Sequence, residues 1–344
     1  MKTLQLGRTG ISVPDWCLGT MTFSNQTPQD DAFRQMDMAM DAGINFFDVA
    51  EMYPVNPVKK ETMGNSEKVI GNWFEKTGRR EEVVVATKVS GDSGFRPGGY
   101  TAESVRGAVE DSLTRLKTDY IDLYQMHWPN RGSYHFRQNW TFDASKQDKA
   151  KELDNLRGVL SVLNDLVNEG KLRAIGLSNE SAWGTMQWLK LAEEGIGPRV
   201  ASMQNEYSLL ARMYDTDMSE VSIHEDVLLL SYSPLATGLL TGKYRNGAVP
   251  EASRMSLVPG LSGRSNPRAH AAVEAYQAIA DKHGIALDHM SMAWQRSRPF
   301  PISAIFGTTT SEQLEHLLKA KDMELDEEIV KEIDDAHRDH PMPF

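Results

Sequence analysis

The chain has 344 residues, 40% hydrophobic and 25% charged, which supplies enough apolar surface for a sizeable core and excludes disorder as the default. Its formal net charge of −11 repels phosphate backbones and anionic lipid, and no Lys/Arg run offsets it, so neither a nucleic acid nor a membrane is expected as a partner. Cys17 is the only cysteine, which excludes an intramolecular disulfide; MKTLQLGRTGISVP lacks the apolar core of a leader, and the cytoplasm is the expected location.

The first element expected is a hairpin over TLQLGRTGISVP (3–14), turning at a glycine and placed to plug the bottom of a barrel. After it, short runs rich in Val, Ile and aromatics alternate with longer stretches at helical spacing. The runs are WCLGTM (16–21), INFFDV (44–49), EVVVATKV (82–89), YIDLYQMH (120–127), RAIGLS (173–178), VASMQNEY (200–207), VLLLSYSP (227–234) and ISAIFG (302–307). Such alternation implies parallel strands joined by crossover helices. Eight units fit an α/β fold of one domain over 1–344, a closed (β/α)8 TIM barrel; a doubly wound open sheet is the structural alternative.

Two helices carry clear end signals. TAESVRGAVEDSLTRLK opens at Thr101, and DNLRGVLSVLNDLVNEGK is expected to start at Asp154 and stop at Gly170. Two turn-rich stretches, 129–153 after the fourth strand and 245–269 after the seventh, read as long functional loops. Trp73, Trp183, Trp188 and Trp294 fall at helical spacing and read as packing groups, whereas Trp128 reads as a pocket wall and Tyr134, His135, Phe136 and Trp140 as cover for a substrate.

In a barrel, chemistry gathers at the C-terminal ends of the strands. The second strand delivers Asp48 and, a turn later, Tyr53; the third delivers Lys88 and the fourth His127. Taken singly, each reads as well as a loop salt-bridge partner or a packed side chain. Together they suit hydride addition to a carbonyl, which leaves an alkoxide needing an acid and hydrogen-bond donors. Tyr53 is the natural acid, the Lys88 ammonium is expected to lower its pKa, Asp48 to balance Lys88, and His127 to polarise the carbonyl.

Asp48, Tyr53, Lys88 and His127, together with GINFFDVAEMY, ATKV, YIDLYQMHWP, IGLSN, SYSPLATGLLTGKY and FGTTTSEQL, resemble the aldo-keto reductase family over nearly the whole chain; EMYPVNP and NWFEKTGRREEVVVATKVSG are most similar to its bacterial Tas-like branch. The resemblance implies an NADP(H)-dependent barrel without metal or flavin that reduces aldehydes or ketones, with those four residues as a catalytic tetrad and Tyr53 as proton donor. It carries cofactor contacts onto Gly19, Thr20, Met21, Asp48, Ser178, Asn179 and Gln204, with Tyr232 stacking on the nicotinamide. The pyrophosphate side falls to Ser233, Pro234, Leu235, Gly238, Leu240, Lys243 and Arg254, and the 2′-phosphate pocket to Gly307, Thr308, Thr309, Thr310 and Gln313. Hydroxyls and amides at a helix N-terminus suit an anion, which favours NADPH over NADH. The sequence departs from the family beside the adenine, where His316 and Leu317 replace the usual Glu-Asn.

Two other functions are compatible with a barrel. Metal-dependent hydrolysis needs several His and carboxylate ligands at strand ends, and only His127 stands at one. A cofactor-binding regulatory or redox-sensing subunit with slow turnover would keep a similar tetrad.

Overall fold

A computed structural model describes residues 1–344. Strands β1 (Thr3–Gln5) and β2 (Ser12–Pro14) form the expected antiparallel hairpin. Eight further strands are all parallel: β3 (Trp16–Gly19), β4 (Phe46–Asp48), β5 (Val84–Val89), β6 (Ile121–Met126), β7 (Leu172–Ser178), β8 (Val200–Glu206), β9 (Leu228–Tyr232) and β10 (Ile302–Phe306). They close into a barrel in chain order, β10 pairing with β3 at the seam, so the open-sheet alternative is excluded.

Side-chain alternation along each strand divides the core in two. Outward residues such as Trp16, Phe47 and Val85 pack under the helices in the larger apolar cluster. Inward residues, among them Cys17, Phe46, Ala86, Leu123 and Ile305, fill the barrel, and Leu6 and Val13 of the hairpin belong to the same cluster. The hairpin therefore plugs the bottom. Its turn at Gly7 has φ 56°, and a Cβ there would lie 2.8 Å from the Ala201 backbone, so a side chain has no room.

The crossover helices include α1 (Gln29–Asp41), α2 (Asn65–Thr77), α3 (Ala102–Leu116), α4 (Lys149–Asn168) and α5 (Ala182–Glu193). Thr101 caps α3 through a reciprocal pair with Ser104, as its position implies. The start of α4 differs from expectation: Asp148, not Asp154, is the cap, its carboxylate accepting from the Lys151 amide. Glu152 then lies in the first turn and pairs with Arg131 at 3.0 Å, which ties the preceding loop to the helix. The helices α6 (Asp217–Glu225), α7 (Arg254–Leu257), α8 (Pro267–Lys282), α9 (Leu287–Trp294), α10 (Ser311–Leu318) and α11 (Glu327–Asp339) complete the shell. The loop after β9 is thus broken by the short α7 and ends at the Asn266 cap of α8. Trp73, Trp188 and Trp294 are fully buried, but Trp183 is exposed, with the Arg131 guanidinium over its ring at 5.0 Å. No helix is long and apolar enough to cross a membrane.

Candidate active site

One step of two residues along three adjacent strands lifts the barrel interior from an apolar to a polar layer: Phe46 gives way to Asp48, Ala86 to Lys88, and Leu123 to Gln125. Lys88 is fully buried, and its ammonium donates to Asp48 Oδ2 at 2.7 Å and to the Val49 carbonyl at 2.8 Å. The other Asp48 oxygen accepts from Gln204 Nε2 at 2.7 Å. Asp48 is therefore oriented from both sides, and Lys88 keeps its third donor direction for the mouth.

Tyr53 follows β4 by one turn, and its ring centroid lies 4.9 Å from Lys88 Nζ and 5.9 Å from the His127 ring. The four residues that the sequence singled out thus converge. Burial raises the Tyr53 phenol above its usual pKa; Lys88 pulls it down, and Asp48 adds to the rise. The expected lowering does not occur, because loss of water disfavours the phenolate more than the ammonium favours it. Burial also works against the Lys88 charge, yet Asp48 and then Tyr53 hold its pKa above the ordinary lysine value. Burial and, after it, Lys88 keep His127 well below the usual histidine range, so its ring is neutral. His127 is held by its backbone, through its amide to Val89 and its carbonyl from Asn179 Nδ2, while its buried Nδ1 has no partner.

The remaining sequence-assigned positions lie at or beyond the C-terminal ends of β3, β7, β8, β9 and β10. Thr20, buried after β3, donates both amide and hydroxyl to the Asp48 carbonyl, and the Met21 carbonyl accepts from Val55. A Cβ on Gly307 would stand 3.0 Å from the Gly19 carbonyl, so the two glycines let β3 and β10 approach closely at their ends. Ser178, Asn179 and Gln204 are contiguous: Ser178 Oγ donates to the Gln204 carbonyl, and Asn179 Nδ2 to Ser178 Oγ at 3.0 Å. The Tyr232 hydroxyl donates to Asn179 Oδ1 at 2.7 Å, fixing its ring beside them.

Beyond β9 the backbone turns irregular, with positive φ at Ser233, Ala236, Thr237 and Gly238. Pro234 and Leu235 lie within this turn, and Leu240 is fully buried in the core with its amide donating to the Leu235 carbonyl. Leu240 thus shapes the turn from below. Lys243 lies against Gly238 and has no carboxylate partner, and Arg254 makes no ion pair either. Arg254 is pulled down to about 10, by burial first and the neighbouring Arg264 second. Lys243 and Arg254 are thus two cations without a carboxylate partner beyond a turn whose Ala236, Gly238 and Leu240 amides bond within it. Beyond the next strand, Thr308 donates to Gln35, Thr310 caps α10, and the Gln313 side chain folds back onto Thr309. Next to it Leu317 is buried, and His316 bonds Asp288 at 2.9 Å and stacks on His289 at 4.4 Å, so the His316 ring is engaged within the protein.

Three groups escaped the sequence reading. Gln125 stands between Asp48 and Gln204. Glu51 accepts from the Ser90 amide and pairs with Arg96. Glu206 is shared by Arg137 and Arg264. Gln125 was reachable, because it sits two residues beyond an inward Leu123; the other two depend on loops whose course no period reveals.

The residues 16–338 match the model of the Aldo/keto reductase family. The chain belongs to that family. It is 41% identical to Protein tas of Escherichia coli over the whole chain and 99% of that protein. It is 31% identical to a probable voltage-gated potassium channel subunit beta of Arabidopsis thaliana, covering 94% of this chain and 92% of that one. Against an NADH-specific methylglyoxal reductase of Escherichia coli it is 29% identical, covering 94% and 95%. Membership of the aldo/keto reductase family makes the chain an oxidoreductase working with a nicotinamide cofactor.

Proposed function

We propose that the chain reduces the carbonyl group of a small aldehyde or ketone to an alcohol, consuming NADPH and one proton and yielding NADP+. The observation that carries this reading is the buried Asp48–Lys88 pair against the Tyr53 phenol, with a neutral His127 alongside.

The residues present fit a dinucleotide. Lys243 and Arg254 would meet the pyrophosphate; Ser178, Asn179 and Gln204 the nicotinamide amide; Thr308, Thr309, Thr310 and Gln313 the adenosine phosphate. When bound, the reduced nicotinamide supplies the hydride. The protein's share is the proton and the electrostatics. Tyr53, kept protonated by burial, gives its proton to the oxygen on which negative charge develops. Lys88, kept charged by Asp48, stabilises the phenolate left behind. His127 is neutral and donates one ring N–H toward the same oxygen, with Trp128 packed against its ring. Solvent then reprotonates Tyr53, and the cycle balances.

Titration with NADPH and with NADH, followed by protein fluorescence and then by turnover of a carbonyl panel, tests the reading. Binding of NADPH in preference to NADH, followed by turnover, is expected; preference for NADH would overturn the phosphate-pocket assignment, and binding of neither would overturn the function. The likeness to a channel subunit favours a second reading, a nucleotide-binding subunit of another protein. Tight NADPH retention with negligible turnover of every carbonyl would select it.

A further inference from the structure

A cavity of about 50 Å³ lies on the same face of the barrel, walled by the loop after β6, the end of β8, the turn leading into α6, and the C-terminal residues Met342 and Phe344. It has room for a group of a few heavy atoms. Four of its lining side chains carry a buried polar atom with no partner: Arg137 Nε, Asn139 Nδ2, Asn205 Oδ1 and the Tyr214 hydroxyl. The Asn205 amide nitrogen donates to the Glu180 carbonyl, which leaves its oxygen as the free end. A buried donor or acceptor left unmet is costly, and four of them around one cavity call for an occupant.

The charges say what kind. Glu206 is the one carboxylate that Arg137 and Arg264 share, at 3.2 and 2.6 Å, so the cluster keeps an excess positive charge after pairing. Arg264 also acts on Arg254, and Arg254 on Tyr53, so the cluster is electrostatically continuous with the phenol. Aromatic rings connect the two places as well: the His127 ring packs on Trp128 at 4.7 Å, and Trp128 on Phe136, which lines the cavity, at 6.1 Å.

We infer that this cavity receives the carboxylate end of the substrate, so that the preferred carbonyl compounds are small oxo acids, with Arg137 and Asn139 as the residues that set this preference. The inference rests on the carbonyl-reduction reading. Arg137 Nε and Asn139 Nδ2 donate to the two carboxylate oxygens, and Asn205 Oδ1 accepts from an entering water. The carbonyl at the other end then lies against Tyr53 and His127.

Steady-state rates for ω-oxo acids of about four to six carbons, each compared with the alkanal of equal length, test the inference. At the best length the acid is expected to exceed the alkanal in kcat/KM by about tenfold to a hundredfold, the worth of hydrogen bonds to a charged group. R137M should abolish that ratio, and N139L should reduce it while keeping the positive charge. Because the ratio is read within each variant, a general loss of folded protein cancels. Equal rates for acid and alkanal at every length, or a ratio that survives R137M, would overturn the assignment. Calorimetric titration with glutarate keeps the question separate from turnover. Glutarate binding to the native protein and not to R137M supports the cavity even if no carbonyl is reduced; no binding, together with no turnover, removes it.

Discussion

Tyr53 and Lys88 sit in one desolvated space, yet burial acts on them in opposite senses: the phenol is kept neutral, and the ammonium stays charged because Asp48 is 2.7 Å away. On the proposed mechanism, Tyr53→Phe removes the donated proton and little contact area. Turnover should fall about a hundredfold to ten-thousandfold while the NADPH dissociation constant stays within about threefold. Turnover near that of the native protein would remove Tyr53 as the acid. The raised phenol pKa also sets a pH dependence: the proton donor persists through neutral and mildly alkaline pH, so kcat for reduction should stay level from about pH 6 to 9 and fall only above about pH 10. A fall centred near neutrality would mean that another group supplies the proton. The convergence of Asp48, Tyr53, Lys88 and His127 was legible in the sequence, because Asp48, Lys88 and His127 stand at the ends of apolar runs and Tyr53 follows the first of them by a turn. The direction of the Tyr53 shift was not, because it depends on how much water the folded mouth excludes.

At the scale of elements, the loop after β6 is anchored by charge. Arg131, almost fully buried, bridges Glu152 of α4 and Glu180 ahead of α5, and covers the exposed Trp183 ring. Arg131→Met would leave two carboxylates buried with no cation, and should cost about 3–5 kcal/mol in urea unfolding. A loss below about 1 kcal/mol would show that water reaches both carboxylates. The anchor explains why α4 begins before its apolar pattern does: Asp148 and Glu152 form a charged first turn that hydrophobic spacing does not register. Elements with a complete apolar period, such as the eight strands, were legible to within a few residues; boundaries set by a single cap or ion pair were not.

For the whole molecule, acid is the expected weakness. Burial holds His135 down to about 4, against its bonds to the Glu180 carbonyl and the field of Glu206, and keeps His127 neutral as well. The folded pKa lies below the unfolded one, so the stabilisation is present above about pH 6.5 and is lost as pH falls toward 4, where the unfolded chain takes up the extra proton. For His135 the loss is up to about 3 kcal/mol. Unfolding measured at about pH 7 and pH 4.5 should show a smaller acid penalty for His135→Gln than for the native chain; an identical penalty would mean that His135 does not contribute. The barrel itself could be read from the strand–helix rhythm and a closing count of eight, because each unit must bury one face against the next. The seam of that closure holds one more consequence. Cys17, the lone thiol, is fully buried in β3 opposite Ile305 of β10, where the first and last strands of the barrel meet. An alkylating reagent can reach it only when that seam parts or the hairpin plug lifts, so the labelling rate of the native protein is a clock for how often the barrel opens, and a bound nucleotide spanning β3, β9 and β10 should slow the part that comes from the seam.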